Sequence, residues 1–329
     1  MMLHEIHKYF LASSGVVTDT RKIKDNCLFV ALKGENFDGN LFAKEAIQKG
    51  AIFALVDDPV IAGENNQMIC VEDTLKTLQE LSRFHRKSLK AKIIALTGSN
   101  GKTTTKEVLK SVLFQKYKTQ ATEGNLNNHI GVPLTLLSFD TDTEIGIVEM
   151  GANHGGEIKE LCEIALPDYG LITNFGKAHL EGFGSLEGVI KAKTELYEYL
   201  VKNEGKLFIN EDDPIQKEWK TKSKNHSFGE DLNATCVIEY LTKSGNPLKI
   251  KFQGEIINSN LNGFYNFTNI GAAIAIGKYF KISNENINFG VSAYSPSNNR
   301  SETITQGTNR ITLDAYNANP TSMEVSIKA

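Results

Sequence analysis

Between Lys92 and Asn210 the chain alternates short apolar runs with amphipathic stretches. Lys92-Ile-Ile-Ala-Leu-Thr97, Glu144-Ile-Gly-Ile-Val-Glu-Met150, Tyr169-Gly-Leu-Ile-Thr-Asn174 and Gly205-Lys-Leu-Phe-Ile-Asn210 have strand length. They are too continuously apolar for strands with one face in water, and helical spacing fills the gaps over about 103–115 and 185–200. This alternation predicts an α/β protein built on a parallel sheet. Upstream, Asn26–Leu32 and Gly50–Val56 read as strands and Phe42–Lys49 as a helix. Thr74–Ser88 reads as an amphipathic helix with Leu75, Leu78, Leu81 and Phe84 on one face. Downstream, residues 234–261 alternate Thr, Ile and Lys with turn residues and predict edge hairpins. Gly263–Phe280 returns to a helix. From Pro296 only one strand, Arg310–Asp314, and a helix start after Pro320 are evident. Three regions follow: 1–90, 91–295 and 296–329.

Composition narrows the class. The 329 residues carry 36 Lys and Arg against 39 Asp and Glu, for a formal charge of −3, so no polybasic nucleic-acid surface is implied. Hydrophobic residues at 40% suffice for sizeable cores. No run approaches the ~20 apolar residues of a membrane span, and the first fifteen residues do not form a secretory signal. Cys27, Cys70, Cys162 and Cys236 are far apart, which predicts reduced thiols in the cytoplasm rather than a zinc or disulfide framework.

The strongest chemical signal is Thr97-Gly-Ser-Asn-Gly-Lys-Thr-Thr-Thr105, placed where a strand runs into a helix. Backbone N–H groups at a helix N-terminus attract an anion. Lys102 supplies a point charge for outer phosphates and the Thr103 hydroxyl a ligand for Mg²⁺. Leu96 stands where the general phosphate-loop pattern has its first Gly, so the loop is a shortened variant. Glu149 ends an apolar strand, at the carboxyl edge where open α/β sheets bind ligands, and a hard carboxylate suits Mg²⁺. His179 and Lys193, read alone, fit a surface histidine and a solvated lysine beside Lys191. Asn266 and Asn269 lie one helical turn apart and can face one site. Arg83-Phe-His-Arg-Lys87 reads as a solvated helix face; Trp219, Tyr197 and Tyr199 read as packing.

The loop resembles that of the Mur ligases, the cytoplasmic ATP-dependent amide ligases of peptidoglycan synthesis. The resemblance extends along the whole chain. It runs through Thr18-Asp-Thr-Arg21, Phe37-Asp-Gly39, Glu123-Gly-Asn-Leu-Asn-Asn128 with Ile130-Gly-Val-Pro133, and Glu149-Met-Gly-Ala-Asn153. It continues through Ile172-Thr-Asn174, Ala178-His-Leu-Glu-Gly-Phe-Gly184, Lys191-Ala-Lys193 and Asp314-Ala-Tyr-Asn-Ala-Asn-Pro320. Together these resemble the type that adds D-alanyl-D-alanine to UDP-MurNAc-tripeptide. The resemblance implies an N-terminal uridine-nucleotide domain, a central phosphate-loop ATPase domain and a Rossmann-like third domain.

It also implies residue roles. Gly98, Ser99, Asn100, Gly101, Lys102, Thr103, Thr104, Asn269, Arg300 and Asp314 bind ATP; Tyr265 stands where most relatives have His. Lys102, Glu149, His179 and Lys193 are catalytic. Thr103, Glu149, His179 and N-carbamylated Lys193 hold Mg²⁺. Thr18, Asp19, Arg21, Asp38, Asn125 and Asn128 bind the UDP-substrate, although the two asparagines also read as turn residues. The implied cofactors are ATP and Mg²⁺. The expected partners are UDP-MurNAc-tripeptide and D-alanyl-D-alanine, with no nucleic acid, no membrane insertion and a monomeric state. Another ligase of the superfamily (tripeptide-forming or folylpolyglutamate synthase) and an inactive nucleotide-binding fragment are the alternatives. Only 34 residues follow from Pro296, too few for a third core, so the expectation is an incomplete third domain and a ligase rate near background.

Overall fold

The short apolar runs of the first ninety residues pair as a four-stranded parallel sheet, ordered Val16–Val17, Leu28–Val30, Phe53–Val56 and Met68–Cys70. Successive side chains leave a strand on opposite faces. Leu28, Val30, Leu55 and Ile69 therefore pack under Ile6 and Phe10 of helix Leu3–Ala12, Leu78 and Leu81 of helix Thr74–Ser88, and Leu137 of helix Gly131–Leu137. Phe29, Ala54, Val56 and Met68 pack on the other face against Ala43 and Ala46. In this computed structural model, residues 3–242, 247–296, 300, 302–313, 323, 324 and 327 are described. The chain divides into two units. The first comprises Met1–Lys90, Leu126–Asp142 and Glu163–Leu166; the second comprises Ala91–Asn125, Thr143–Cys162 and Pro167–Ala329.

Helix Thr74–Ser88 starts where the Asp73 carboxylate accepts from Lys76 N at 2.8 Å. Its C-terminal turn departs from the solvated face expected from the sequence. Phe84 is exposed, whereas His85 and Arg86 are buried. The Arg86 guanidinium donates to the carbonyls of Ala165 at 3.1 Å and Leu166 at 3.2 Å, which satisfies a cation the helix carries inward. His85 Nε2 lies 3.3 Å from Phe139 O, and a carbonyl only accepts, so Nε2 carries the hydrogen. Bare Nδ1 then accepts from His7 Nε2 at 3.2 Å. The His85 imidazole is thereby neutral.

The second unit is built on nine strands. Their order is Glu255–Asn258, Lys249–Phe252, Cys236–Tyr240, Lys224–Gly229, Lys206–Asn210, Tyr169–Ile172, Lys92–Thr97, Ile145–Glu149 and Thr119–Ala121. Only the two pairings among residues 236–258 are antiparallel, as the hairpin pattern there predicts. Helix Lys102–Leu113 buries Val108, Leu109 and Val112 against Ile94, Leu96 and Ile147. Helix Tyr265–Tyr279 is buried from Asn266 to Gly277, as an apolar circumference requires. Tyr197 is fully buried, with its hydroxyl donating to Phe208 O at 2.8 Å and its ring edge-on to Trp219, so the aromatic stripe is packing. Near the C-terminus the structure has two strands where one was expected. Glu302–Gln306 pairs antiparallel with Asn309–Leu313 as a separate hairpin, in which Ile311 and Leu313 are half-buried. Among the described residues no helix is long and apolar enough to cross a membrane.

The His7–His85 pair generates the first prediction. Burial holds both imidazoles below the ordinary value of 6.5, with His85 adding to the shift of His7. The unfolded chain therefore binds more protons below pH 6.5. The pair's contribution is complete above that pH and is lost as pH falls toward the depressed folded values. His85→Gln, which keeps a donor and an acceptor, should shrink the drop in thermal midpoint between pH 7.5 and 5.5 by on the order of 2–4 °C. Superimposable pH profiles for the two proteins would count against the pair.

Candidate active site

Strand Lys92–Thr97 and helix Lys102–Leu113 are joined by four residues, and two of these have no room for a side chain. Gly98 has φ +142° and a Cβ there would meet Thr173 Oγ1 at 2.0 Å. Gly101 has φ +77° and a Cβ would meet Asn269 Oδ1 at 2.6 Å. Residues of the next strand's exit hold the loop from one side. Ser99 N donates to Asn174 O (3.1 Å), Asn100 N to Asn174 Oδ1 (3.0 Å), and Thr173 Oγ1 to Asn100 O (2.6 Å). From the other side Asn269 Oδ1 accepts from Thr105 Oγ1 at 3.0 Å and its Nδ2 donates to Asn266 Oδ1 at 2.9 Å. Asn269 faces the loop at Gly101, whereas Asn266 bonds Asn269 and donates to Asn262 O at 2.8 Å.

Lys102 is the first helical residue, half-buried, and its ammonium folds back to Gly98 O at 2.7 Å and Ser99 O at 3.3 Å. The ammonium thus lies against the loop's own carbonyls. Burial lowers its pKa, Glu149 opposes the shift and Arg300 adds to it, so Arg300 acts on the loop. Thr103 Oγ1 donates to Glu149 Oε2 at 3.0 Å, and both residues are buried. Thr104 lies half-buried on the same helical turn.

Lys193 is not a solvated lysine. It is 2% exposed, with Nζ 3.5 Å from Ala152 O and 5.2 Å from the Phe183 ring centroid, whereas Lys191 is exposed. Burial and then the Lys102 charge push its pKa down to about 7 against the pull of Glu157 and Glu195. His179 caps a short helix from the left-handed region at φ +51°, a costly conformation for a non-glycine residue. Its imidazole is held below the ordinary value by partial burial, then by Lys102 and Lys193, with Glu157 opposing. Lys102, Glu149, His179, Lys193 and Arg300 are thus brought together. Asp314 lies outside the described residues.

Glu157 and Glu195 were not singled out from sequence. Glu157 accepts from Asn153 N at 2.6 Å and His154 N at 2.9 Å, and Glu195 from Gly156 N at 2.7 Å. The only sequence signal was Glu195 two places after Lys193 in Lys-x-Lys-x-Glu. Among the described residues no three His, Cys, Asp or Glu side chains converge as a metal cage. The donors present are the Thr103 hydroxyl and Glu149 carboxylate, hard oxygens that suit an ion which keeps waters and shares phosphate oxygens, as Mg²⁺ does. A cavity of about 660 Å³ lies along the first turn of helix Tyr265–Tyr279, walled by Phe175, Asn210, Asp212, Phe264, Phe267 and Thr268.

The remaining expected contacts are spread over both units. Asn125 is exposed in the second unit. In the first, Asn128 Oδ1 accepts from Ile130 N at 3.2 Å and Gly131 N at 2.8 Å, a turn role. Thr18 is half-buried. Asp19 accepts from Arg21 N at 2.9 Å and from its guanidinium at 2.8–3.1 Å, and these bonds hold its carboxyl at about 2. Asp38 Oδ1 accepts from Asn40 N at 2.9 Å and Nδ2 at 2.8 Å.

Known proteins resemble this chain in sequence and fold. Residues 96–277 match the Mur ligase middle domain and residues 13–86 the Mur ligase family catalytic domain. The UDP-N-acetylmuramoyl-tripeptide–D-alanyl-D-alanine ligase of Bacillus subtilis is 38% identical over 316 residues, 95% of this chain and 69% of that protein. A crystal structure of MurF from Acinetobacter baumannii superposes with a TM-score of 0.84 at 31% identity, covering 98% of this chain and 75% of that one. MurF from Thermotoga maritima, solved in complex with ADP, superposes at 0.83 with 28% identity, covering 97% and 74%. An α/β fold of parallel sheets, a shortened phosphate loop and similarity along 95% of the sequence agree, and the chain belongs to the Mur ligase family.

Proposed function

We propose that this chain serves the ATP-dependent ligation of D-alanyl-D-alanine to UDP-MurNAc-tripeptide, a cytoplasmic step of peptidoglycan precursor synthesis on which wall growth, cell shape and division depend. The observation that carries the acceptor is similarity to relatives named for it, extending over both units. The terminal carboxylate of the tripeptide attacks the γ-phosphorus of ATP, forming a C–O–P bond and releasing ADP. The D-alanyl-D-alanine amine then attacks the acyl carbon; the tetrahedral adduct loses phosphate and a proton and leaves an amide.

In this reading the loop 98–104 cradles the phosphates, Lys102 offsets their charge, and Asn269 and Arg300 complete the nucleotide contacts, with Asp314 assigned there from the resemblance. The aromatic-walled cavity beside Asn269 takes the adenine ring. Glu149 and Thr103 would hold one Mg²⁺, and His179 with a carbamylated Lys193 would hold another. Bound there, Mg²⁺ supplies neutralisation of the transferring phosphoryl group. Lys193 suits carbamylation because only a neutral amine attacks CO₂, and burial beside Lys102 lowers its proton affinity. Thr18, Asp19, Arg21 and Asp38, in a domain of residues 1–90, and Asn125 and Asn128, in a central domain of 91–295, are assigned to the UDP-substrate.

Ligation across acceptors decides the function, run with this chain and with the chain extended by the remaining third of a curated relative. Product is expected from the extended chain with D-alanyl-D-alanine and UDP-MurNAc-tripeptide alone. Product with a single amino acid would assign another ligase of the family, and nucleotide binding without product would leave a binding protein. Lys102→Ala should cut turnover by at least ~100-fold with unchanged circular dichroism. Near-normal turnover would remove the loop lysine from the mechanism. Lys193→Ala should lose activity that formate or acetate partly restores, and the wild type should give a carbamate carbon resonance with ¹³C-bicarbonate that the variant lacks. An alanine variant with full activity would end the carbamate role.

A further inference from the structure

Helix Lys102–Leu113 turns Thr103, Thr105, Lys106, Val108, Leu109, Val112 and Leu113 inward. On that stripe Lys106 is the anomaly. It is 0% exposed, at a position where leucine or methionine would fill the same space without the cost of taking an ammonium out of water. Its Nζ donates to Thr122 O and lies 2.9 Å from Glu107 Oε1, a carboxylate that is itself partly in solvent.

Thr122 follows strand Thr119–Ala121 and is buried. Its own N donates to Ile147 O at 2.9 Å, and its Oγ1 accepts from Glu149 N at 3.0 Å. Glu149 in turn accepts the Thr103 hydroxyl at 3.0 Å. The bonds close a ring: Thr103 to Glu149 to Thr122 to Lys106, and back through one turn of the helix to Thr103. Thr103 therefore holds the Glu149 side chain directly, and Lys106 holds Thr122, whose hydroxyl in turn accepts from the Glu149 backbone.

We propose that Lys106 is a positioning residue. It sets the backbone of Glu149, through Thr122, so that the Glu149 and Thr103 oxygens meet a magnesium–nucleotide complex at fixed separation. The assignment rests on the proposed nucleotide role of that loop. An outer-shell contact of this kind affects metal affinity more than fold, because the metal ligand stays present but loses its fixed orientation.

The test is calorimetric ATP binding at graded Mg²⁺ on wild type, Lys106→Met, Thr122→Val and the double variant, with turnover and thermal midpoint alongside. Lys106→Met should raise the Mg²⁺ concentration for half-saturation of ATP binding about tenfold, with UDP-substrate affinity within about twofold of wild type. Thr122→Val, which keeps the carbonyl that Lys106 reaches but deletes the acceptor of Glu149 N, should shift it the same way. Because both act through one linkage, the double variant should lose little more than the larger single loss. Unchanged Mg²⁺ dependence in both single variants, or strictly additive losses, would overturn the proposal. If Lys106→Met fails to fold, Thr122→Val alone decides by its Mg²⁺ shift. A wild type that binds Mg-ATP without ligating removes the ligase reading and leaves this one to the titration; a wild type that binds no Mg-ATP removes both.

Discussion

The site depends on how closely the backbone at Gly98 and Gly101 approaches its neighbours. A side chain at either position would displace Thr173 or Asn269, and these are the groups that fix the loop. The loop is shaped before any ligand arrives, because Asn100 is bonded at both its N–H and its carbonyl to the exit of strand Tyr169–Ile172. Preorganisation of this kind is what charge stabilisation requires, since dipoles already aimed at a developing charge need no reorganisation at the moment of reaction.

The same close approach concentrates charge. Lys102, Lys193 and His179 each depress another's proton affinity or have their own depressed, and Arg300 adds to the effect on Lys102. Glu149, Glu157 and Glu195 offset this in part, yet Lys193 still falls to about 7. A polyanion bound at the loop would relieve the repulsion directly. Conversion of Lys193 to a carbamate would relieve it in another way, by turning one repelling amine into an attracting anion. The unliganded electrostatics are therefore strained in the direction that both halves of the proposed chemistry relax.

Much of this was legible in the chain. The apolar runs at 92–97, 144–150, 169–174 and 205–210 lie on strands of one sheet because continuous apolarity over strand length has few other solutions. Helix Thr74–Ser88 matched its expected bounds, since Asp73 caps it and the Leu spacing has one register. Its last turn did not follow composition. His85 and Arg86 look solvated until the carbonyls of residues 139, 165 and 166 are brought to them, and no local pattern encodes those partners. Lys193 was undecidable from spacing for the same reason, because burial of a lysine depends on what folds over it. Strand Glu302–Gln306 was missed because its polar alternation lacks an apolar run. Lys106 was hidden by its neighbours in Lys-Thr-Thr-Thr-Lys-Glu, where it reads as another surface charge.

Polar burial in the second unit has a location. The buried polar residues Thr97, Glu149, Thr173 and Asn210 stand at or just past the ends of four strands. Helix Tyr265–Tyr279 has its buried asparagines in the first turns, beside the loop, and only apolar or small residues buried further along. The sheet is thus partitioned: apolar packing fills its body, and polar groups that need specific partners collect at one edge. Apolar burial is non-directional and can be read from pattern. The edge obeys pairwise geometry, and a polar group there is tolerable only when its partner arrives from elsewhere in the chain. That division lets the domain hold buried charges such as Lys106 and Glu149 without a failing core, because the strands beneath them supply cohesion that the edge does not have to provide.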